Sequence, residues 1–310
     1  MSKKRIIFMG SPEFSVPALE SLNDNFQVEL VISQPDKKRS RNRLLPTAVK
    51  KRAQELNLKT YEPKNVNDEE SLELIDKINP DFIVVIAYGQ IIGKHLLETY
   101  PDRIINIHGS LLPKYRGAAP MHYALLNGDE KTGVCSMLIE KTMDTGDVLA
   151  CGELDIDDDM NIEILHDKLS ILAAQTIVDT LNNYDSLYES RTKQDDEKAV
   201  YTKKLTKEMG HLDFSKTAKE INNKIRALSV WPRTYVYYGD DQVKIHKINI
   251  IDKYTEDKEG RIIDVNDQGV FVNCKDKCIV IEELQFPNKK RMEVCDYIKG
   301  NNIEIGELLK

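Results

Sequence analysis

Four short apolar runs constrain the fold of this chain more than any other feature. They lie at residues 5–9, 28–32, 81–87 and 103–107 and are rich in Ile and Val. The apolar residues follow one another instead of alternating with polar ones, which is typical of strands covered on both faces. Helical spacing fills the stretches between and beside them, at 16–22, 47–57, 69–78 and 92–99. This order predicts an α/β fold with a Rossmann-like, mostly parallel sheet and helices on both faces.

The second half of the chain has a different pattern. Two further strand-like segments, 132–140 and 147–156, precede one long amphipathic helix at 161–182. A polar, aperiodic stretch at 182–208 then predicts a connector. One helix and five short strands follow it, at 217–228, 234–238, 242–249, 260–265, 269–274 and 278–284. They predict a small C-terminal β-barrel of the oligonucleotide-binding (OB-like) type. We therefore expect domains at 1–188 and 207–310, joined by a linker at 189–206.

Composition narrows the class of protein. The 310 residues carry a net charge of -7, which argues against indiscriminate nucleic-acid binding over the whole surface. No stretch approaches the roughly 20 apolar residues of a membrane span, and the first apolar run is too short for a secretory signal. We expect a cytoplasmic protein without a membrane partner. Five scattered cysteines without zinc-finger spacing predict neither a disulfide nor a structural zinc site, and instead predict small buried side chains.

The fourth apolar run leads into the most distinctive segment, INIHGSLLPKYRGAAP at 105–120. Asn106 and His108 stand two residues apart, so their side chains point to the same face of a strand. Ligands of such sheets bind at the carboxyl ends of the strands, where both residues lie. A lone His is more often structural than catalytic. Asp144, in the MDTGD turn, supplies a third group.

An amide, an imidazole and a carboxylate can transfer an acyl group to an amine without a covalent intermediate. Asn donates to the developing oxyanion, His supplies a second stabilising contact, and Asp orients the His and helps to remove the amine proton. No Ser or Cys nucleophile is required. We expect structural roles for Ser110 and Cys135, because neither sits in a nucleophile elbow or beside an obvious base. Residues alone predict acyl or formyl transfer to an amine.

Several motifs, taken in order, resemble the folate-dependent formyltransferases, and the resemblance runs through essentially the whole chain. In the first domain they are MGSPEFSVPALESL, VVIAYGQIIGKHLL, INIHGSLLPKYRGAAP, NGDEKTGV and MDTGDVL. Three later segments, VYTKKLTKEMGHLDFS, IRALSVWPRTY and KKRM, resemble the second domain of the family members that formylate methionyl-tRNA.

The resemblance implies a substrate pair. A formyl group would pass from 10-formyltetrahydrofolate to the α-amine of methionine on initiator tRNA, with no metal. Asn106, His108 and Asp144 match the catalytic trio of the family. The residues implied for folate binding are Ser110, Leu111, Leu112, Pro113, Ile86, Ala87, Tyr88, Gly89, Thr142 and Asp147.

A basic segment at 37–52 carries eight Lys or Arg and no acid. A solvated surface is the common fate of such runs, but this one includes Pro46 and apolar residues in a loop near the expected active edge. Its cations could neutralise tRNA phosphates, and Leu44 or Leu45 could wedge against a terminal base pair. Similarly basic insertions in the family support this role. The expected tRNA contacts are Lys37, Lys38, Arg39, Arg41, Arg43 and Leu44.

The C-terminal barrel could also bind nucleic acid, although its charges balance, through a local patch at Lys289, Lys290 and Arg291. Trp231 is more typical of a packing anchor than of a stacking platform. We expect a monomer.

Three other functions compete with this interpretation. A sugar-nucleotide N-formyltransferase would share the core but usually carries a different second domain. A dinucleotide-dependent oxidoreductase would share the sheet, yet GSPEFS replaces the glycine-rich phosphate loop after the first strand. A non-catalytic RNA-binding protein would use the core as a scaffold only.

Overall fold

The computed structural model describes residues 3–38, 44–253 and 255–310, and the side chains of Lys37 and Lys38 are not among the described parts. The chain divides into two compact units. The first comprises residues 1–120, 131–155 and 166–202, and the second comprises 121–130, 156–165 and 203–310.

Strands alternate with helices from residue 5 to residue 202, a range that covers the first unit and the two short segments of the second unit that interrupt it. In chain order the elements are β1 (Arg5–Gly10), α1 (Val16–Asn25), β2 (Gln27–Ile32), β3 (Lys37–Lys38), β4 (Leu44–Leu45), α2 (Ala48–Glu55), β5 (Thr60–Tyr61), α3 (Glu69–Ile78), β6 (Phe82–Ile86), α4 (Lys94–Thr99), β7 (Ile104–His108), β8 (Arg116–Gly117), α5 (Pro120–Leu126), β9 (Lys131–Leu138), β10 (Val148–Asp155), α6 (Ile162–Asn182), α7 (Tyr184–Glu189) and β11 (Tyr201–Thr202). Each of the predicted strands and helices is present, with ends within a few residues.

A seven-stranded sheet forms the centre of the first unit, in the order β10-β9-β7-β6-β1-β2-β5. Strands β5, β2, β1, β6 and β7 run parallel, whereas β9 and β10 are antiparallel additions at one edge. Ile6, Ile7, Phe8 and Met9 of β1 are all fully buried, because both faces of this central strand are covered. The predicted mostly parallel sheet is therefore confirmed.

The parallel arrangement brings three chain segments to one edge of the sheet. Strand β1 ends at Gly10, β6 ends at Ile86 and β7 ends at His108. The Ser15 hydroxyl donates to the Ile86 carbonyl over 2.8 Å, and the Ser11 hydroxyl donates to the Tyr88 carbonyl over 3.3 Å. These bonds fix the segment after β6 against the segment after β1.

The segment predicted as an aperiodic connector is more ordered than the sequence suggests. It contains α7 and the short strand β11, which pairs in parallel with β8. Residues 190–202 thus belong to the first unit and contribute hydrogen bonds to it. This structure could not be predicted from the polar composition of the segment, because its contacts are made by individual polar side chains and not by an apolar stripe.

One prediction about the cysteines is wrong. Cys135 and Cys151 form a disulfide, with Cα atoms 4.1 Å apart. The two residues are directly opposed on the antiparallel strands β9 and β10, where such pairs approach most closely. The sequence could not show this pairing, because it depends on the register of two strands that are joined by a loop. Cys274, Cys278 and Cys295 are free.

The second unit is built on an antiparallel sheet. After the segments of α5 and α6, its elements are α8 (Ala218–Ala227), β12 (Thr234–Tyr238), β13 (Asp241–Ile251), β14 (Ile262–Asn266), β15 (Gly269–Asn273), β16 (Cys278–Gln285), β17 (Met292–Glu293) and α9 (Val294–Tyr297). The strand order is β12-β13-β16-β15-β14, with β17 beside β16. Lys310 exchanges hydrogen bonds with Tyr237, and Leu309 donates to Gly260, so the C-terminal residues span the two edges. This arrangement is compatible with the predicted barrel.

Candidate active site

Strand β7 positions the first two residues of the candidate site. Asn106 pairs with Val85 of β6 and Met137 of β9, and His108 is the last residue of the strand. Their alternation places both side chains on one face. The Asn106 side chain is half-buried, and its amide has no hydrogen-bond partner among the residues that the structure describes. An amide so placed can donate to a bound molecule.

The imidazole of His108 is 8 % exposed and oriented by the main chain. Its Nε2 lies 2.9 Å from the Tyr115 carbonyl oxygen. A carbonyl oxygen can only accept, so Nε2 carries the proton of this hydrogen bond. Nδ1 is therefore the ring atom whose protonation can change without breaking the contact to Tyr115.

Asp144 approaches His108 from a separate turn. One carboxylate oxygen, Oδ2, lies 3.7 Å from Nδ1 of His108 and accepts a hydrogen bond of 2.8 Å from the Gly117 N–H. The distance to Nδ1 is that of an ion pair and not of a tight hydrogen bond. The structure thus brings together His108 and Asp144, two residues separated by 36 positions in the chain, as the sequence prediction requires.

Tyr115 and Gly117 act through their main chain, which sequence analysis did not identify. Gly117 has φ +99°, and a Cβ atom there would lie 2.8 Å from the Thr202 carbonyl oxygen. A side chain is therefore excluded by both backbone conformation and space. Both residues lie in the quoted KYRG stretch, but neither residue type by itself reveals a hydrogen-bonding role for the main chain.

The segment implied for folate binding follows His108 directly. Ser110 is fully buried, and its hydroxyl donates to the Lys114 carbonyl over 2.6 Å. This bond closes the turn that contains Leu111, Leu112 and Pro113, all of them half-buried. Ser110 therefore shapes the turn, and the three partly accessible residues after it remain available to a ligand.

The loop after β6 offers main-chain groups at the same edge. Ala87 and Gly89 are exposed on either side of the buried Tyr88, and both have positive φ, +47° and +89°. Among the described residues, a Cβ at Gly89 would meet the Gln34 side chain alone, at 3.7 Å. Burial raises the pKa of the Tyr88 phenol well above its ordinary value, so this residue stays neutral and anchors the loop from inside.

The turn that holds Asp144 contains two more predicted residues. The Thr142 hydroxyl contacts the Thr145 hydroxyl, and Thr142 is exposed. Asp147 accepts a hydrogen bond of 3.0 Å from Nε of Arg191. The two carboxylates of the MDTGD turn therefore have different partners: Asp144 faces His108, and Asp147 faces Arg191.

The basic segment falls only partly within the described residues. Strands β3 and β4 form a hairpin in which Lys37 pairs with Leu45 and Lys38 pairs with Leu44. Arg39, Arg41 and Arg43 lie outside the described residues. Leu44 is 64 % exposed, an unusual position for a large apolar side chain.

Three cations at the end of the basic segment have local partners. Lys50 pairs with Asp36 at 3.0 Å and Glu62 at 3.2 Å, and Arg52 pairs with Glu20 and Glu55. Burial lowers the pKa of Lys50, but its bonds to Asp36 and Glu62 outweigh that effect and raise it overall. Lys51 lies 4.0 Å from Glu55. The ion pairs of these three cations therefore serve mainly to stabilise α2 and its surroundings.

The C-terminal patch is partly engaged as well. Arg291 donates from Nε to Glu283 over 2.9 Å, and Lys289 donates to Asn301 over 2.8 Å. Lys290 is exposed. Trp231 is 47 % exposed, so its indole is not the enclosed packing anchor that the sequence favoured.

The chain has a doubly wound sheet with an amide, an imidazole and a carboxylate at its carboxyl edge, and comparison with known proteins shows that it is a group-transfer enzyme. Residues 4–181 match the formyl transferase family, and residues 204–302 match the C-terminal domain of formyl transferases. The methionyl-tRNA formyltransferase of Finegoldia magna is 46 % identical over 99 % of this chain and 100 % of its own. That of Clostridium novyi is 44 % identical, again over 99 % and 100 %. The chain belongs to the methionyl-tRNA formyltransferase family.

Solved structures confirm the fold at lower identity. A sugar 3N-formyl transferase crystallised with dTDP and 5-N-formyl-THF has a TM-score of 0.68 at 20 % identity, covering 94 % of this chain and 100 % of that one. HypX from Aquifex aeolicus, in complex with tetrahydrofolic acid, has a TM-score of 0.61 at 15 % identity, over 96 % of this chain and 47 % of HypX. The family resemblance read from the motifs is confirmed, and the chain is a folate-dependent formyltransferase. No helix in the described ranges is both long and apolar enough to span a membrane.

Proposed function

We propose that this enzyme transfers the formyl group of 10-formyltetrahydrofolate to the α-amine of methionine carried by initiator tRNA, and so serves translation initiation. The full-length relatives support this substrate pair. The observation that carries the chemistry is the placement of His108 between the Tyr115 carbonyl and the Asp144 carboxylate, on the strand that also carries Asn106, whose amide has no partner among the described residues.

Asn106 is proposed to stabilise the negative charge of the reaction. When the amine nitrogen attacks the formyl carbon, the carbonyl oxygen becomes an oxyanion. The Asn106 amide N–H can donate to that oxygen without giving up a bond to any residue in the described ranges. Loss of one such donor typically costs about 3–4 kcal/mol of transition-state stabilisation. The described main chain around β7 does not compete for this amide.

His108 and Asp144 are proposed to manage the proton. A new bond forms between the formyl carbon and the methionine nitrogen, and the bond from that carbon to N10 of the folate breaks. The amine therefore loses a proton, and the departing N10 gains one. Asp144 can help to accept the proton, and His108 Nδ1, facing it at 3.7 Å, can donate toward the oxyanion when protonated. This scheme uses no metal.

The residues at the sheet edge fit a folate. The exposed main chain of Ala87 and Gly89 can pair with the polar edge of a flat heterocycle, and Gly89 has no side chain to block its approach. Half-buried Leu111, Leu112 and Pro113 offer an apolar surface next to His108. When bound, 10-formyltetrahydrofolate supplies the activated formyl group. Thr142 and Asp147 are proposed to line the same site from the MDTGD turn.

The hairpin of β3 and β4 is proposed to contact the acceptor end of the tRNA. It follows β2 at the active edge of the sheet and presents Leu44 to solvent. Because Lys50, Lys51 and Arg52 are ion-paired around α2, we assign phosphate contacts to Lys37, Lys38, Arg39, Arg41 and Arg43. Leu44 is proposed to pack against the terminal base pair.

The second unit is proposed to add weaker contacts to the tRNA. Lys290 and the half-exposed Trp231 supply a cation and an aromatic surface, the two elements of single-strand binding. Domain limits of 1–188 and 207–310, an OB-like barrel in the second domain, a monomeric state and a cytoplasmic location complete the proposal.

A direct assay tests the substrate assignment. The purified chain is incubated with formyl-labelled 10-formyltetrahydrofolate and, in parallel, with charged initiator tRNA, uncharged tRNA and an amino-sugar nucleotide. We expect label only on the charged tRNA, released as formylmethionine after mild alkaline hydrolysis of the ester. Transfer to the amino sugar alone would replace this proposal with that of a sugar-nucleotide formyltransferase.

A further inference from the structure

We propose that Gln194 is a positioning residue that holds Asp144 in place for the reaction, an inference that rests on the proposed function of Asp144. Gln194 lies within residues 189–206, which the sequence predicts to be a linker, and none of the functional motifs includes it. Its side chain is nonetheless buried, with 7 % of the residue exposed.

Every hydrogen-bonding atom of the Gln194 amide has a partner in the first unit. Nε2 donates to the main-chain carbonyls of Asp144, over 2.9 Å, and Gly146, over 2.8 Å. Oε1 accepts from Nε of Arg116 over 2.9 Å. One side chain therefore joins the turn that carries Asp144 to the strand β8 that carries Arg116.

Arg116 makes the other end of this connection rigid. It is 1 % exposed, and its Nη1 donates to Asp196 and to the Tyr201 hydroxyl, each over 2.8 Å. Burial alone would lower the pKa of the guanidinium, but these two bonds raise it overall, so Arg116 stays charged. The next residue, Gly117, donates its N–H to the Asp144 carboxylate.

Asp144 is thus held at two points by one connected structure. The Gly117 N–H fixes its carboxylate, and Gln194 fixes its carbonyl. The residue needs this support because its φ of +56° lies in the left-handed region, which costs free energy for a residue with a side chain. Its neighbours Lys141, Thr142 and Met143 are exposed and contribute little packing to the turn.

The contacts of Gln194 require a side chain that both donates and accepts, which a carboxylate of the same size cannot do. A glutamate could still accept from Arg116, but its carboxylate would face the carbonyl oxygens of Asp144 and Gly146 without a donor. Gln194→Glu therefore keeps the Arg116 arm and removes the Asp144 arm, whereas Gln194→Ala removes both. Ser170→Ala is a matched control, since its buried hydroxyl donates to the Phe14 carbonyl over 2.8 Å and, within the described residues, is not bonded to Asp144, Gln194 or Arg116.

Steady-state kinetics with labelled formyl donor and charged tRNA test the proposal. We expect both Gln194 variants to lower kcat by about 10- to 100-fold with the KM of either substrate within twofold, as small displacements of a reacting group typically do. In an Asp144→Ala background the same change at Gln194 should have no further effect, because residues that act as one unit are not additive. An equal loss in both backgrounds, or a loss confined to KM, would overturn the inference.

Hydrogen exchange supplies a readout that does not depend on activity. In both Gln194 variants the amides of residues 143–147 should exchange at least several-fold faster than in the wild type, whereas Ser170→Ala should leave them unchanged. If these amides exchange at the wild-type rate in the Gln194 variants while the Tm falls, Gln194 is a general structural residue and the proposal is rejected. If the wild-type enzyme does not formylate methionyl-tRNA but the Gln194 variants still exchange faster, the contact between Gln194 and the Asp144 turn is supported and only the proposed function is rejected.

Discussion

The Asp144 carboxylate faces Nδ1 of His108 at 3.7 Å, and a single main-chain segment holds both residues. Tyr115 accepts from His108 through its carbonyl, and Gly117 donates to Asp144 through its N–H. A change in this segment would therefore move both groups at once. The pair is built by main-chain hydrogen bonds, which fix the ring nitrogen that faces the carboxylate.

We expect Asp144→Asn to reduce kcat by about 10²-fold or more, the range of general acid–base catalysis. The amide keeps the size of the side chain and can still accept from Gly117, but it cannot hold a proton or balance a charged imidazole. The Tm should change by no more than a few degrees. Steady-state rates and thermal unfolding of the same sample measure both effects, and a collapsed fold with proportional loss of activity would make Asp144 structural.

Asn106→Leu should lower kcat by about 10²- to 10³-fold, because it removes the proposed oxyanion donor while keeping the volume. Folding should be little affected, since no described residue is bonded to this amide. Asn67→Ala is the contrasting variant: its amide donates to the Ile91 carbonyl and accepts from the Gly93 N–H, so it should lower Tm more than kcat. The opposite order of effects would argue against Asn106 as the donor.

The sequence predicted the sheet well because burial on both faces leaves an unbroken apolar run that can be read locally. It also predicted that Asn106 and His108 share a face, because that follows from strand alternation. The sequence did not reveal the Cys135–Cys151 pair, since strand register depends on the whole fold. Nor did it reveal the buried hydrogen bonds of Gln194, because a polar residue in a polar stretch carries no periodic signal.

Thiol reactivity should differ sharply among the free cysteines. Burial raises the pKa of Cys274 to about 12 and also raises that of Cys278, so both remain protonated, unreactive thiols near neutral pH. Cys295 is only partly buried. Maleimide at neutral pH, followed by peptide mass spectrometry, should label Cys295 first and the other two only in denaturant. In Cys295→Ser the fast phase should vanish, and rapid labelling of Cys274 in the folded chain would contradict the burial described above.

The basic hairpin should act on tRNA binding and not on the formyl donor. Arg41→Ala should weaken the affinity for charged tRNA and lower the slope of log K against log salt by about one, because one phosphate contact is lost. Leu44→Ala should weaken binding without changing that slope, since its proposed contact is apolar.

Arg52→Ala is the matched control in the same basic segment: its guanidinium is engaged by Glu20 and Glu55, so its removal should leave the slope unchanged. Binding measured by filter retention at several salt concentrations separates these outcomes. Equal slopes for Arg41→Ala and wild type would assign the hairpin cations to the solvated surface.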